Sequence, residues 1–338
     1  MKKDRRRSAP LREMILLMAP PAGGKTSLIL DVARSLEGCG RVIFISPLKA
    51  LSLELAGRFE ASGIETFCVD SRRGLSSRIE SVGLPQMTIL SYEHVTKPLI
   101  DFLKQKLQNV LLVFDEFHLL FYWGSSFRPA LWESFYELAE TAHPILSLSA
   151  TIDKKIVEEM KNSFLASFDR IWLIDRGNFF LRHPPRAISL VSRQWEIWIH
   201  LEKALGRGKR CLVFLPYRRE VEVWRNSLAA SGRCVLSCVG GQTLEFRERL
   251  KTCEKVDAIL ATHALGHGVN LPPLDHIYLA YPVEEKALWL QMVGRGGRDG
   301  RPYKLYCMNV HGLPLWQKLA AKVRNAWGLL FSWSFGMR

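Results

Sequence analysis

Long apolar runs are missing from this chain: no window of its 338 residues approaches the ~18 uninterrupted apolar positions of a membrane span. A transmembrane protein is therefore not expected. Paired cysteines are missing as well. The seven present (Cys39, Cys68, Cys211, Cys234, Cys238, Cys253 and Cys307) form an odd, scattered set without a CxxC, which argues against a disulfide scaffold or a four-cysteine zinc module. Cys234 and Cys238 could be half a metal site, but no second Cys or His pair of suitable spacing follows. His263 and His267 have the spacing of helical ligands, yet Gly266 and Gly268 favour a loop and the usual glutamate is absent. Acidic residues are in deficit, 33 against 47 Lys and Arg, leaving a net charge of +14. That balance favours a polyanionic partner and says nothing about fold. The basic opening Lys2–Arg7 followed by Met14–Met18 has the outline of a secretory leader, but Arg12 and Glu13 abut an apolar run shorter than the usual ~7–15 residues. Reduced thiols are expected, in a cytoplasmic protein that would be nucleoid-associated in a bacterium. No fixed-period repeat or low-complexity tract is present.

What is present is the composition of a folding chain, 48% hydrophobic and 24% charged. At ~150 residues per domain the length predicts two domains. Short β-rich runs at Met14–Met18, Arg41–Ser46, Val110–Asp115, Pro144–Ser149, Arg210–Leu215, Asp257–Ala261, His276–Ala280 and Tyr303–Met308 alternate with helical stretches at Ser27–Leu36, Leu48–Ala61, Pro129–Ala139 and Glu220–Ser231. Alternation of this kind predicts an α/β fold with parallel sheets. The Gly/Pro-rich, charged segment Asp175–Arg186 marks the domain boundary. The expected layout is a basic arm over 1–10, a first domain over 11–176, a linker over 177–186, a second domain over 187–310 and a helical tail over 311–338. The tail carries Trp316, Trp327 and Trp333, and it reads either as a helix packed on the second domain or as a dock for a protein partner.

Three motifs carry chemistry. Ala19-Pro-Pro-Ala-Gly-Gly-Lys-Thr26 follows a strand and opens a helix, the context of a phosphate-binding loop. The amides around Gly23 and Gly24 and the helix start through Ser27 would cradle phosphates, Lys25 would neutralise the β/γ oxygens, and Thr26 would ligate Mg²⁺. A plain Gly-rich turn is the other reading. Leu111-Leu-Val-Phe-Asp-Glu-Phe-His118 puts Asp115 and Glu116 at the carboxyl end of an apolar strand, where α/β sheets hold ligands. Asp115 could reach Mg²⁺ and Glu116 could activate water; simple strand-end acids are the alternative. Gln291-Met-Val-Gly-Arg-Gly-Gly-Arg-Asp-Gly300 offers Arg295 and Arg298 as fork-shaped cations for a developing γ-phosphate charge, or as a Gly/Arg loop for RNA.

The loop GGKT, the box DEFH, Ser149-Ala-Thr151 and QMVGRGGR occur in the order of the superfamily 2 helicases of the DExH kind, and the resemblance covers nearly the whole chain. Ser46-Pro-Leu48, the run Trp123-Gly-Ser-Ser-Phe-Arg-Pro129 and the ending GRDG resemble the RecQ DNA helicases, whereas Ala261-Thr-His-Ala-Leu-Gly-His-Gly-Val-Asn-Leu-Pro272 resembles the superkiller-type DExH helicases. The resemblance implies two tandem RecA-like domains with an ATP site in the interdomain cleft, ATP and Mg²⁺ as cofactors, and Glu116, Gln291, Arg295 and Arg298 as catalytic groups. His118, Ser149 and Thr151 would couple hydrolysis to movement. Trp123, Phe127 and Arg128 look like an aromatic loop that senses a single strand, with Ser46, Pro47, Lys49 and Thr262 as further nucleic-acid contacts.

The function so implied is ATP-driven translocation along single-stranded DNA, 3′-to-5′, in repair or recombination. RNA as substrate and a non-catalytic, nucleotide-regulated clamp are the rivals. The group usually has an upstream helix and a Gln that reads adenine, but little chain precedes Ala19, so base discrimination is expected to be poor. With no Cys₄ module, no winged helix and no room for a long wedge between Pro272 and Gln291, weak unwinding by the chain alone is also expected.

Overall fold

The computed structural model describes residues 12–46, 49–69, 71–81, 83–106, 109–124, 129–141, 143–164, 167–266 and 269–310. The chain divides into two compact units, with the main boundary after Asn178 and the short stretch Pro21–Gly23 grouped with the second. The first contains β1 (Glu13–Met18), α1 (Lys25–Ser35), β2 (Arg41–Ser46), α2 (Lys49–Glu60), β3 (Thr66–Cys68), α3 (Arg72–Ser81), β4 (Met87–Ser91), α4 (Lys97–Lys106), β5 (Val110–Phe114), α5 (His118–Gly124), α6 (Ala130–Ala139), β6 (Ile145–Ser149), α7 (Lys154–Phe164) and β7 (Arg170–Asp175). The second contains β8 (Ala187–Leu190), α8 (Gln194–Leu205), β9 (Cys211–Phe214), α9 (Arg218–Ala230), β10 (Val235–Cys238), α10 (Thr243–Thr252), β11 (Ala258–Ala261), β12 (His276–Leu279), α11 (Lys286–Val293) and β13 (Lys304–Cys307).

Both sheets are parallel throughout. The strand order is β3-β4-β2-β5-β6-β1-β7 in the first unit and β10-β11-β9-β12-β13-β8 in the second. The α/β architecture with two parallel sheets is thus as the alternating pattern predicted. The central strands read as continuous apolar runs because helices cover both faces of such a sheet: all of β6 is buried, and so is β2 apart from Arg41. On one face of the first sheet α7 contributes Ile156, Met160 and Phe164, spaced four apart along one helical stripe. Phe164 joins an aromatic cluster in which Phe135 lies 5.0 Å from Phe114 and 5.6 Å from Phe117, ring centre to ring centre. This cluster underlies the segment Asp115–His118 and gives it a rigid base.

Edge strand β7 is an exception to the buried pattern. Trp172, Leu173 and Ile174 are exposed, and Ile15, the register partner of Trp172 on β1, is exposed beside it. In the second unit Cys234 faces Cys253, Sγ to Sγ 3.0 Å, and Cys238 is buried apart from them. Among the described residues no group of three or more His, Cys, Asp or Glu is placed to hold a metal ion, and no helix is long and apolar enough to cross a membrane. The basic arm 1–10 and the tail 311–338, with Trp316, Trp327 and Trp333, lie outside the described residues.

Candidate active site

The glycine-rich loop spans the gap from β1 to α1. Gly24 occupies the position before the helix with φ +86°, a left-handed conformation in which any Cβ is strained. No side chain caps the helix start, and its first turn holds no acidic residue, so its amides stay open to an anion. Lys25 folds back over the loop, donating to the carbonyls of Ala19 at 2.8 Å and Pro20 at 3.2 Å. Thr26 is half-buried beside it and Ser27 is exposed. At the loop entry Ala19 N–H donates to Ser149 O at 2.9 Å, which ties the loop to the end of β6.

The acid pair sits where β5 ends. Asp115 N–H donates to Ile45 O at 3.0 Å and Phe117 N–H to Leu148 O at 2.9 Å, so two neighbouring strands hold the turn between them. Glu116 lies within that turn at φ +47°, a left-handed backbone that costs a non-glycine residue ~1–3 kcal/mol and is characteristic of functional turns. Its N–H donates to Asp115 Oδ1 at 3.0 Å. Burial first, and then the neighbouring Glu116 charge, push the Asp115 carboxyl up to about 7, against the opposing pull of Lys25.

His118, buried at the start of α5, shares a 2.9 Å hydrogen bond through Nδ1 with Ser149 Oγ and lies 3.6 Å from Glu116 Oε2. Burial holds its imidazole below the ordinary histidine range, so the ring is neutral near pH 7. Ser149 Oγ also accepts Thr151 N–H at 3.2 Å and directs its hydroxyl to Thr151 O at 3.3 Å. Glu116, His118, Ser149, Thr151 and the start of the glycine-rich loop therefore form one connected group at the carboxyl edge of the first sheet.

The chemistry of this group fits a phosphate bound to a divalent cation. Two half-buried carboxylates beside one lysine present negative charge that a cation would offset, and the Thr26 hydroxyl supplies a neutral oxygen donor. Uncapped helix amides beside them suit phosphate oxygens.

The second unit holds the remaining candidates. Gln291 is buried on α11. Arg295, only 4% exposed, donates from Nη1 to Val269 O at 2.6 Å, and Arg298, exposed, donates from Nε to Gly294 O at 3.0 Å. The two arginines line an open cavity of about 570 Å³ with Asn270 and Leu271. Ser46 and Thr262 lie at strand carboxyl ends but are buried. Lys49 and Trp123 lie in α2 and α5, with side chains outside the described residues, as are Pro47, Phe127 and Arg128.

Tyr92 escaped the sequence reading. It follows β4, packs on Phe114 with ring centres 5.8 Å apart, and has its hydroxyl ionisation suppressed by burial and then by Asp115 and Glu93. The available signal was the polar run Ser91-Tyr-Glu-His94 closing an apolar segment.

Comparison with known proteins agrees with this geometry. The family described as DEAD/DEAH box helicase matches residues 7–160, and the helicase conserved C-terminal domain matches residues 196–300. The probable ATP-dependent DNA helicase RecS of Bacillus subtilis is 26% identical over 307 residues, covering 85% of this chain and 59% of its own length. The ATP-dependent DNA helicase RecQ of Synechocystis is 31% identical over 317 residues, covering 86% of this chain and 63% of its own length. The chain thus spans about three-fifths of these curated relatives. Among solved structures, the Mycobacterium smegmatis helicase Lhr bound to ssDNA and AMP-PNP aligns with TM-score 0.63 at 19% identity, over 87% of this chain and 43% of that one. Mss116p bound to ssRNA and AMP-PNP aligns with TM-score 0.66 at 16% identity, over 87% and 66%. At such identities the likeness concerns the fold.

Proposed function

The chain belongs to the superfamily 2 helicases, as a core of the RecQ kind, and from that premise we propose that it is an ATP-dependent DNA helicase stepping 3′-to-5′ along a single strand in repair or recombination. The observation that carries this reading is the half-buried pair Asp115 and Glu116, set beside Lys25 and joined through His118 to Ser149. ATP with Mg²⁺ supplies the γ-phosphoryl group whose transfer to water drives the cycle. Gly23, Gly24, Lys25 and Ser27 bind the phosphates, and Thr26 and Asp115 hold the cation. Glu116 orients water, while Gln291, Arg295 and Arg298 meet the charge that develops on the γ-phosphoryl during its transfer. The deciding assay compares ATP turnover without polymer, with single-stranded DNA, with duplex DNA and with single-stranded RNA. Turnover unchanged by every polymer overturns the proposal.

Coupling is assigned to His118, Ser149 and Thr151. Ser149→Ala removes the oxygen shared by the His118 ring and the Thr151 amide, so strand-stimulated turnover is expected to fall about tenfold, as the loss of one buried hydrogen bond implies, with basal turnover nearly unchanged. Equal losses with and without DNA would place Ser149 in the chemical step instead.

Trp123, Phe127 and Arg128, together with Ser46, Pro47, Lys49 and Thr262, are assigned to the strand. Trp123→Ala is expected to leave basal turnover intact and to remove most stimulation by single-stranded DNA, because one stacked base is worth ~1–3 kcal/mol. A variant with wild-type melting temperature and full stimulation would refute the sensor role.

Between Pro272 and Gln291 the chain forms only β12 and the first turns of α11, and no long hairpin that could act as a wedge. Opening each base-pair step costs ~1.4 kcal/mol of stacking. This chain alone is therefore expected to open short or frayed duplexes and to stall on long ones, as read by strand-displacement assays of graded length. The Trp-rich tail is the proposed dock for a partner that supplies a wedge. The second reading, RNA as substrate, rests on the Ala261–Pro272 sequence, and a 2′-hydroxyl requirement for stimulation would establish it.

A further inference from the structure

The carboxyl ends of the second sheet carry Leu215, Thr262 and Ala280. At the opposite edge, residues entering β8, β9, β11, β12 and β13 surround an open cavity of about 560 Å³. Its cations are Arg186, Lys209, Arg210, Lys255, Arg301 and Lys304, against two carboxylates, Asp257 and Asp275. Both carboxylates are engaged. Asp275 accepts Arg210 N–H at 2.9 Å and lies 3.4 Å from Lys209 Nζ; Asp257 accepts Cys234 N–H at 3.0 Å and lies 3.8 Å from Lys255 Nζ. Arg301 is turned to Asp299 at 2.7 Å.

Arg186, Arg210 and Lys304 have no ion-pair partner among the described residues. The Arg210 guanidinium is nevertheless fixed in place, with Nε donating to Val256 O at 3.0 Å and Nη1 to Pro273 O at 3.1 Å. Those carbonyls orient the fork without cancelling its charge. Lys304 is in register with His276 on one side and with Ala187, the neighbour of Arg186, on the other, so adjacent strands bring both charges to one rim. The resulting field is felt by His276: burial, then Lys304, with Lys209 and Arg207 adding to it against Asp275, hold its imidazole down at about 4.

We propose that this basin is a second phosphate-binding site, distinct from the glycine-rich loop, which takes successive phosphates of a polynucleotide strand or the phosphates of a free nucleotide. A guanidinium oriented by two carbonyls beside the exposed cations Arg186 and Lys304 combines directed and adaptable phosphate recognition. Like charges gathered on one rim repel until an anion enters, and release of the phosphate's own counterions adds to the gain. The proposal is independent of the ATPase reading, since binding is measured without turnover.

The test is a paired charge reversal, Arg186→Glu with Lys304→Glu, both at exposed positions. The control is Lys155→Glu with Lys251→Glu, side chains 82% and 64% exposed elsewhere that undergo the same change of charge. All variants are made in the full chain carrying Lys25→Ala, so that the glycine-rich loop contributes little. The probes are inorganic pyrophosphate, by titration calorimetry, and a labelled single-stranded oligonucleotide over a salt series. The rim pair is expected to lose about tenfold or more in pyrophosphate affinity, or to flatten the log K against log salt slope for the strand by about 1.4, two contacts at ~0.7 each. The control pair should keep both. Loss for pyrophosphate alone identifies the free nucleotide as the ligand, and a flattened slope identifies the strand. Wild-type behaviour of the rim pair, or equal losses in rim and control pairs, overturns the proposal. If the rim pair melts early, Lys304→Gln replaces it, with about half the slope change expected and an unchanged slope counting against the site.

Discussion

A chain carrying Glu116→Gln should bind ATP as tightly as the wild type and hydrolyse it at least ~100-fold more slowly, the scale of a lost general base. The amide preserves the shape of the side chain and leaves the left-handed turn at φ +47° in place, so the loop geometry is expected to persist. Cation binding should persist as well. The Glu116 charge is one of the causes that raise the Asp115 carboxyl, and removing it lets Asp115 ionise more readily. Lys25→Ala should behave in the opposite way, losing nucleotide affinity first, because its ammonium sits over the loop that would hold the phosphates. Single-turnover phosphate release and fluorescent-nucleotide binding separate the two. Near wild-type turnover by Glu116→Gln would remove this carboxylate from the chemistry.

Arg298→Ala is expected to slow turnover by about 10³-fold, within the range for an arginine that meets transition-state charge, while ATP affinity changes by less than about tenfold. The side chain is exposed and its Nε bond to Gly294 O lies within its own loop, so the fold should tolerate the change. Arg295 differs. Its buried guanidinium holds Val269 O at 2.6 Å, so Arg295→Ala should lower the melting temperature as well as the rate. Losses of affinity and rate in equal proportion for Arg298→Ala would mean a ground-state contact and refute its proposed role.

The sequence was most readable where the sheets are most buried. Arg41–Ser46 and Val110–Phe114 are central strands, apolar almost without interruption, and reading them needs no knowledge of their partners. The strands that went unread are chiefly edges: β3 and β7 flank the first sheet, β10 and β8 the second. An edge strand has one neighbour, and three of these four are short and mostly half-buried, so they lack the continuous apolar run that marks equally short β9 and β11. β7 is longer, but its partner β1 lies more than a hundred residues earlier, and no local pattern encodes that pairing. The candidate site divides in the same way. Glycines, lysine and acids were visible as motifs because phosphate chemistry restricts residue type and spacing. The tie from Ala19 to Ser149, the shared oxygen of His118 and Thr151, and the approach of Tyr92 arise from strand adjacency, which a linear pattern does not report.

Strand adjacency also sets the order in which each unit can be completed during synthesis. β1, which leads into the glycine-rich loop, pairs with β6 and β7, so Met14 and Leu16, both fully buried in the finished unit, have no sheet partner until the ribosome has passed Ser149 and no second one until it has passed Asp175. β8, the first strand of the second unit, pairs only with β13, the last. The earliest strand of each sheet is therefore received only by strands made at or near the end of its unit, pairings of high contact order that fold slowly and leave apolar edges open meanwhile. A nascent chain arrested short of Cys307 would retain an unpaired β8, making the segment just upstream of the tail a requirement for escape from chaperones and proteases.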